Sequence, residues 1–161
     1  MEHYLQFAPT QRVTKASLPR GNPAKPYVQP ITTPWSVALP PGSLPKLLMG
    51  FRAEIMDHKW HVYADGPDAD GFADVHFLRS WTGNPIVTAR IKTDREGGAG
   101  GEQARIVEIT WEADPTRGPF RNTPTEESAR NWVLDVCDWV FGIRLPGQTG
   151  DYKSLQQGDT E

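Results

Sequence analysis

The chain holds a single cysteine, Cys137, in 161 residues. An intramolecular disulfide is thereby excluded, and so is any metal site built from clustered thiolates. Nowhere does an apolar run approach the roughly 20 residues that a helix needs to cross a bilayer. The opening MEHYLQFAPT has neither the basic start nor the apolar stretch of a secretion signal, so a soluble, cytoplasmic protein is expected. Basic residues are in the minority: the net charge is -3 and the pI about 5.8, which argues against general nucleic-acid affinity. Motifs of catalysis are also missing. No Gly-x-Ser-x-Gly elbow occurs, and the GGAGG run at 97–101 is not followed by the Gly-Lys-Ser/Thr of a phosphate loop. No cofactor and no metal site are expected from motifs.

What is present is aromatic and unevenly distributed. Mean hydropathy is only -0.55, yet six Trp, six Phe and four Tyr supply the large apolar areas of a single core. Nine of the fifteen prolines lie within residues 1–45, which excludes long helix there. Residues 1–42 are therefore expected to be extended or partly disordered, with 26–42 laid on the body as an irregular edge. Residues 1–50 carry five basic side chains against Glu2, a mildly basic segment ahead of an acidic body.

The compact domain is expected at 43–146, with a disordered tail at 147–161. Ser43 can cap a helix whose apolar positions are Leu44, Leu47, Leu48, Phe51 and Ile55, although Phe51–Met56 can also open a strand after the break at Gly50. Alternation predicts strands at 58–65, 72–81, 86–92 and 105–112, joined by short turns into a four-stranded antiparallel meander. In the last of these, Val107, Ile109 and Trp111 should face one way and Ile106, Glu108 and Thr110 the other. A helix over 125–141, capped by Thr123 or Thr125 and stopped by Gly142, presents Ala129, Trp132, Val133, Val136, Trp139 and Val140 on one side. The fold class is α+β, with the C-terminal helix packed on one face and a shorter N-terminal helix beside it.

Unusual side chains concentrate between Lys59 and Gly83. By alternation Trp60, Phe77, Arg79 and Trp81 belong to a core face, and His61, Tyr63, Asp65 and His76 to a wet one. Arg79 among apolar residues requires an answer to its charge. Candidate answers are a carboxylate such as Glu54 or Asp135, a stack on Trp60 or Trp81, or a bound anion. In the last case Ser80, Trp81, Thr82 and Lys59 border the ligand-binding site. His61, His76 and Asp65 form a second candidate group, able to move protons or to ligate a metal. The acidic turn Asp65–Gly71 fails the helix-loop-helix calcium pattern, since Gly66 and Phe77 fall where its first and last carboxylates are needed, and reads as a hairpin turn. Cys137, on an apolar helix face, reads as an inert buried thiol.

The segments MDHKWHVY at 56–63 and FLRSWTGNPI at 77–86 resemble a pattern in small microbial and fungal proteins without an assigned activity. There a Met-Asp-x-Lys-Trp-aromatic strand precedes an Arg-Ser-Trp-Thr-Gly hairpin; here His61 stands in place of the expected Phe. The resemblance implies a shared small sheet and hairpin, and no chemistry. The leading functional expectation is a non-catalytic binding or accessory module that engages a small anionic ligand or a protein partner. The alternatives are a small hydrolase or isomerase using His61, His76 and Asp65, and a structural or assembly subunit.

Overall fold

A computed structural model describes residues 8–18, 24–54, 58–94, 103–117 and 124–148. The protein is α+β: among the described residues, an antiparallel sheet with two α-helices. Among the described residues the sheet has five strands, in the order β1-β5-β4-β3-β2. They are β1 (Pro30–Ala38), β2 (Trp60–Asp65), β3 (Phe72–Arg79), β4 (Pro85–Asp94) and β5 (Gln103–Glu112). The helices are α1 (Ser43–Met49) and α2 (Glu126–Phe141).

The fifth strand corrects the expected meander of four. β1 lies in the segment expected only as an irregular edge, and pairs with β5 from Pro30 opposite Glu112 to Ala38 opposite Arg105. Its prolines are compatible with pairing because they are on alternate positions of an edge strand. Ala113 N–H donates to Gln29 O at 2.9 Å, so by alternation Ile31 and Thr33 turn their N–H groups to β5. Pro30 and Pro34 therefore set their donorless nitrogens on the outer edge. That edge is a poor template for a further strand. The opposite edge is covered locally: Phe51 and Val62 exchange backbone hydrogen bonds of 2.8 and 2.9 Å.

That bridge also explains why α1 ends early. Of the two expectations, a helix reaching residue 56 and a break at Gly50, the break is found: Gly50 has φ 79° and lies so close to β2 that an added Cβ would sit 2.3 Å from Val62 O. Gly42, not Ser43, is the residue before the helix. α2 follows expectation more closely. Thr125 Oγ1 accepts from Ser128 N–H at 3.0 Å, Thr125 N–H donates to Ser128 Oγ at 2.9 Å, and Gly142 (φ 68°) ends the helix by donating to Asp138 O.

Cross-strand pairing of Trp60 with Arg79, Val62 with Phe77 and Ala64 with Val75 sets one face of the sheet. With Val87, Ala89, Ile91, Ile106, Ile109 and Trp111 it forms the main core, closed by Trp132, Val133, Val136 and Val140 of α2. Trp60 is fully buried, with its ring 5.1 Å from that of Trp132. One expectation for β5 is overturned here: Ile106 shares the core with Ile109. A register shift between Arg90 and Ile91 pairs Ile91 with Ile106, so a bulge at Val107 reverses the alternation.

The other face carries a second apolar cluster, in which Val13 and Leu18 cover Tyr63 and Leu78. These N-terminal residues form an ordered strap, fixed by Val13 N–H to Met49 O at 2.8 Å and by Arg12 Nη2 to Ala64 O and Gly66 O, both at 2.7 Å. The expectation of an extended 1–42 segment falls partly outside the described residues, at 1–7 and 19–23, as do the GGAGG run and all but residues 147–148 of the expected tail.

Candidate functional site

β3 ends at Arg79, and the next four residues make a braced turn. Ser80 Oγ, buried, donates to His58 O at 2.6 Å, and Ser80 N–H donates to Lys59 O at 3.0 Å. Gly83 N–H returns to Arg79 O at 2.8 Å, and Thr82 Oγ1 accepts from Asn84 N–H at 3.1 Å. The hydroxyls of Ser80 and Thr82 thus hold the turn together. Trp81 is 41% exposed at its tip, a large apolar side chain that the braced backbone holds toward water.

Cationic residues converge on this turn from four places in the sequence. The Arg79 guanidinium lies 5.5 Å from the centroid of the Trp60 ring, which is the aromatic stack among the answers considered for its charge. Lys59 is joined through its backbone to Ser80, Lys25 N–H donates to Gly83 O at 2.9 Å, and Arg117 Nη1 reaches Asn84 Oδ1 at 3.4 Å. Nothing in the local sequence points to Lys25 or Arg117. Neither belongs to a motif, and only tertiary hydrogen bonds tie them to residues 83–84. Asp114 lies near Arg117, and its carboxyl is held below the usual range chiefly by hydrogen bonds from the Thr116 backbone and hydroxyl.

The His61, His76 and Asp65 group divides. His76 Nε2 meets Asp65 Oδ2 at 2.9 Å and its ring stacks on Tyr63 with centroids 4.6 Å apart. His76 Nδ1 contacts Thr88 Oγ1 at 3.1 Å; Thr88 Oγ1 contacts the Tyr27 hydroxyl at 2.8 Å, and that hydroxyl reaches Thr110 O at 3.3 Å. A line of hydrogen bonds therefore runs from the exposed Asp65 inward to Tyr27. Burial pushes the Tyr27 phenol well above its ordinary value, with Glu112 acting the same way against the hydrogen bond from Thr88.

His61 does not join this line. It is expected on a wet surface, but its exposure is 0%, because alternation assigns a face without revealing what lies over it. Its Nε2 donates to Thr14 O of the strap at 3.3 Å. Burial lowers its basicity, opposed by the Thr14 hydrogen bond and aided by the Arg52 charge. Among the described residues no three His, Cys, Asp or Glu side chains come together as a metal site.

The remaining candidates are structural. Asp68 Oδ1 accepts from Asp70 N–H and Phe72 N–H, both at 2.9 Å, so the acidic segment is a self-satisfied hairpin turn. Burial, with a smaller contribution from Asp138, pushes the Cys137 thiol up to about 12, in keeping with an inert core residue. No helix among the described residues is long and apolar enough to cross a membrane. Comparison with protein-family models, curated proteins and solved structures finds no match to this chain.

Proposed function

We propose that this chain is a non-catalytic binding module that offers Trp81 and the surrounding cations to an anionic small molecule or an acidic protein segment. The observation that carries the reading is Trp81, 41% exposed on a turn whose neighbouring hydroxyls are spent on bracing it. An exposed aromatic ring held on a rigid turn loses little entropy when it is covered. Lys25, Lys59 and Arg117, whose segments meet the turn at residues 80, 83 and 84, carry positive charge that favours carboxylate or phosphate groups over neutral ones. In this reading Ser80 and Thr82 act as supports, Trp81 with Lys59 as contacts, and Arg79, its guanidinium against the buried Trp60 ring, as a source of positive charge.

Amide and indole NMR shifts, followed during titration with phosphate, citrate and a polyglutamate peptide, provide the test. Shifts should centre on Trp81 and Lys59 for at least one probe. Trp81→Ala should weaken binding at least about tenfold, near 1.4 kcal/mol, and keep the fold. Absence of shifts with all three probes, or shifts centred elsewhere, would reject the reading.

A second reading rests on the hydrogen-bonded line from Asp65 through His76 to Thr88. A carboxylate that orients an imidazole beside a hydroxyl is the arrangement of a general base. On this reading the chain hydrolyses small activated esters, and His76→Gln abolishes turnover of p-nitrophenyl acetate. Equal rates for wild type and His76→Gln would discard it.

A further inference from the structure

The two histidines on the strap-covered face differ in what a second proton would meet. On His76 both ring nitrogens face groups able to accept, the Asp65 carboxylate and the Thr88 hydroxyl. Protonation would leave its contacts intact. On His61 the acceptor at Nε2 is a carbonyl oxygen, so Nε2 carries the proton of the neutral ring and Nδ1 presents a lone pair. That Nδ1 is buried and has no hydrogen-bond partner among the described residues. Protonating it would place a donor and a charge where nothing accepts either.

Among the described residues, the charge recorded as acting on His61 is the positive one of Arg52. The strap brings Arg12 and Lys15, and Arg52 from the segment after α1 donates to Ser17 O of the strap at 2.8 Å. Glu54 is within 3.5 Å of Arg52, and Asp65 is taken by His76. Tyr63 of the same strand lies 6.4 Å away, ring to ring, and has its own phenol raised by burial first and Asp65 second. His58, buried at the strand's start, accepts Glu54 N–H on its Nδ1 at 3.0 Å. The charges nearest the strap are thus mostly positive.

We infer that His61 is a pH-sensitive latch, which holds the strap at Arg12–Leu18 against β2 while its ring is neutral and lets the strap lift when the ring gains a proton. The strap is suited to local release. It is tied by a few hydrogen bonds and two apolar side chains, Val13 and Leu18, and not by a strand ladder. Lifting it would expose Tyr63 and Leu78, the covered part of that face. Direction follows from linkage: the docked ring is less basic than an ordinary imidazole near 6.5. Docking is therefore at full strength above that value, and is lost as the pH falls from it through the lowered one.

Hydrogen exchange corrected for intrinsic rates tests this between about pH 7.5 and about pH 5. Protection of residues 12–18 should fall at least tenfold in the wild type, while protection of α2 is retained. His61→Gln, whose amide can still donate to Thr14 O but does not titrate, should remove that dependence. His76→Gln should keep it. NMR titration of the His61 Cε1 proton in the wild type gives an independent reading and should report a midpoint below the ordinary imidazole value. Unchanged wild-type protection, the same loss in His61→Gln, or a His61 midpoint at or above the ordinary value would each overturn the latch.

Discussion

The two faces of the sheet are closed by different means. One is covered by α2, which lays Trp132, Val133, Val136 and Val140 over a continuous apolar surface. The other is covered toward β2 and β3 by the strap, which adds only Val13 and Leu18, and it carries the His61, His76, Tyr27 and Glu112 contacts. An apolar interface of large area is cooperative, since removing any part leaves a cavity. A cover held by individual hydrogen bonds can open locally, and depends on the protonation of each partner. The stable face therefore supplies the scaffold, and the polar face supplies the responses.

The largest effect expected is on the helix-covered face. Trp60→Ala removes a fully buried ring that touches Trp132 and underlies Arg79, and should cost about 3–5 kcal/mol. Urea unfolding followed by circular dichroism measures this; a cost near that of a surface change would break the contrast between faces. Next is Glu112→Gln. The buried carboxylate accepts Val28 N–H and Gln29 N–H at 2.7 Å each, and an amide cannot accept both in the same way. The expected cost is about 2 kcal/mol, with exchange increased at residues 27–29 before it increases in the core.

Tyr27→Phe should cost about 1 kcal/mol by removing the hydroxyl from Thr88 and Thr110. It also tests alkaline behaviour. A phenol raised by burial stabilises the fold below its ordinary value of 10.0, and that contribution is lost as pH rises through the raised value. Wild type should thus lose stability at alkaline pH more than Tyr27→Phe does, as followed by thermal melts. Trp81→Ala should have the smallest effect, within about 0.5 kcal/mol of wild type. A large loss of stability there would mean that the ring is a structural element, and would weaken the binding reading.

Much of the fold is legible in the chain itself. Alternation at 58–65 and 72–81 gives the hairpin, found at Trp60–Asp65 and Phe72–Arg79, and helical spacing from Ala129 to Val140 gives α2 and its apolar face. Gly142 marks the end of that helix through local chemistry alone, and of the two caps offered by the sequence, Thr123 and Thr125, the second is used. β1 is hidden because proline lowers strand propensity locally, whereas its pairing depends on β5, far along the chain. Alternation alone puts Ile106 on the wrong face because a bulge is set by the partner strand's register. The site is less legible. Arg79 and Trp81 stand out as unusual, but Lys25 and Arg117 have no local signal that ties them to the turn.

By itself the sequence determined which residues alternate, which sit on one side of a helix, and where backbone geometry demands Gly or a cap, because these follow from the covalent periodicity of the chain. It could assign His61 and His76 to one face and Arg79 to the other. Only the tertiary structure decided that the strap buries His61 while His76 reaches Asp65, and that the Arg79 guanidinium rests on Trp60. Burial and electrostatic environment depend on what packs against a face from distant parts of the chain, and no local pattern carries that information.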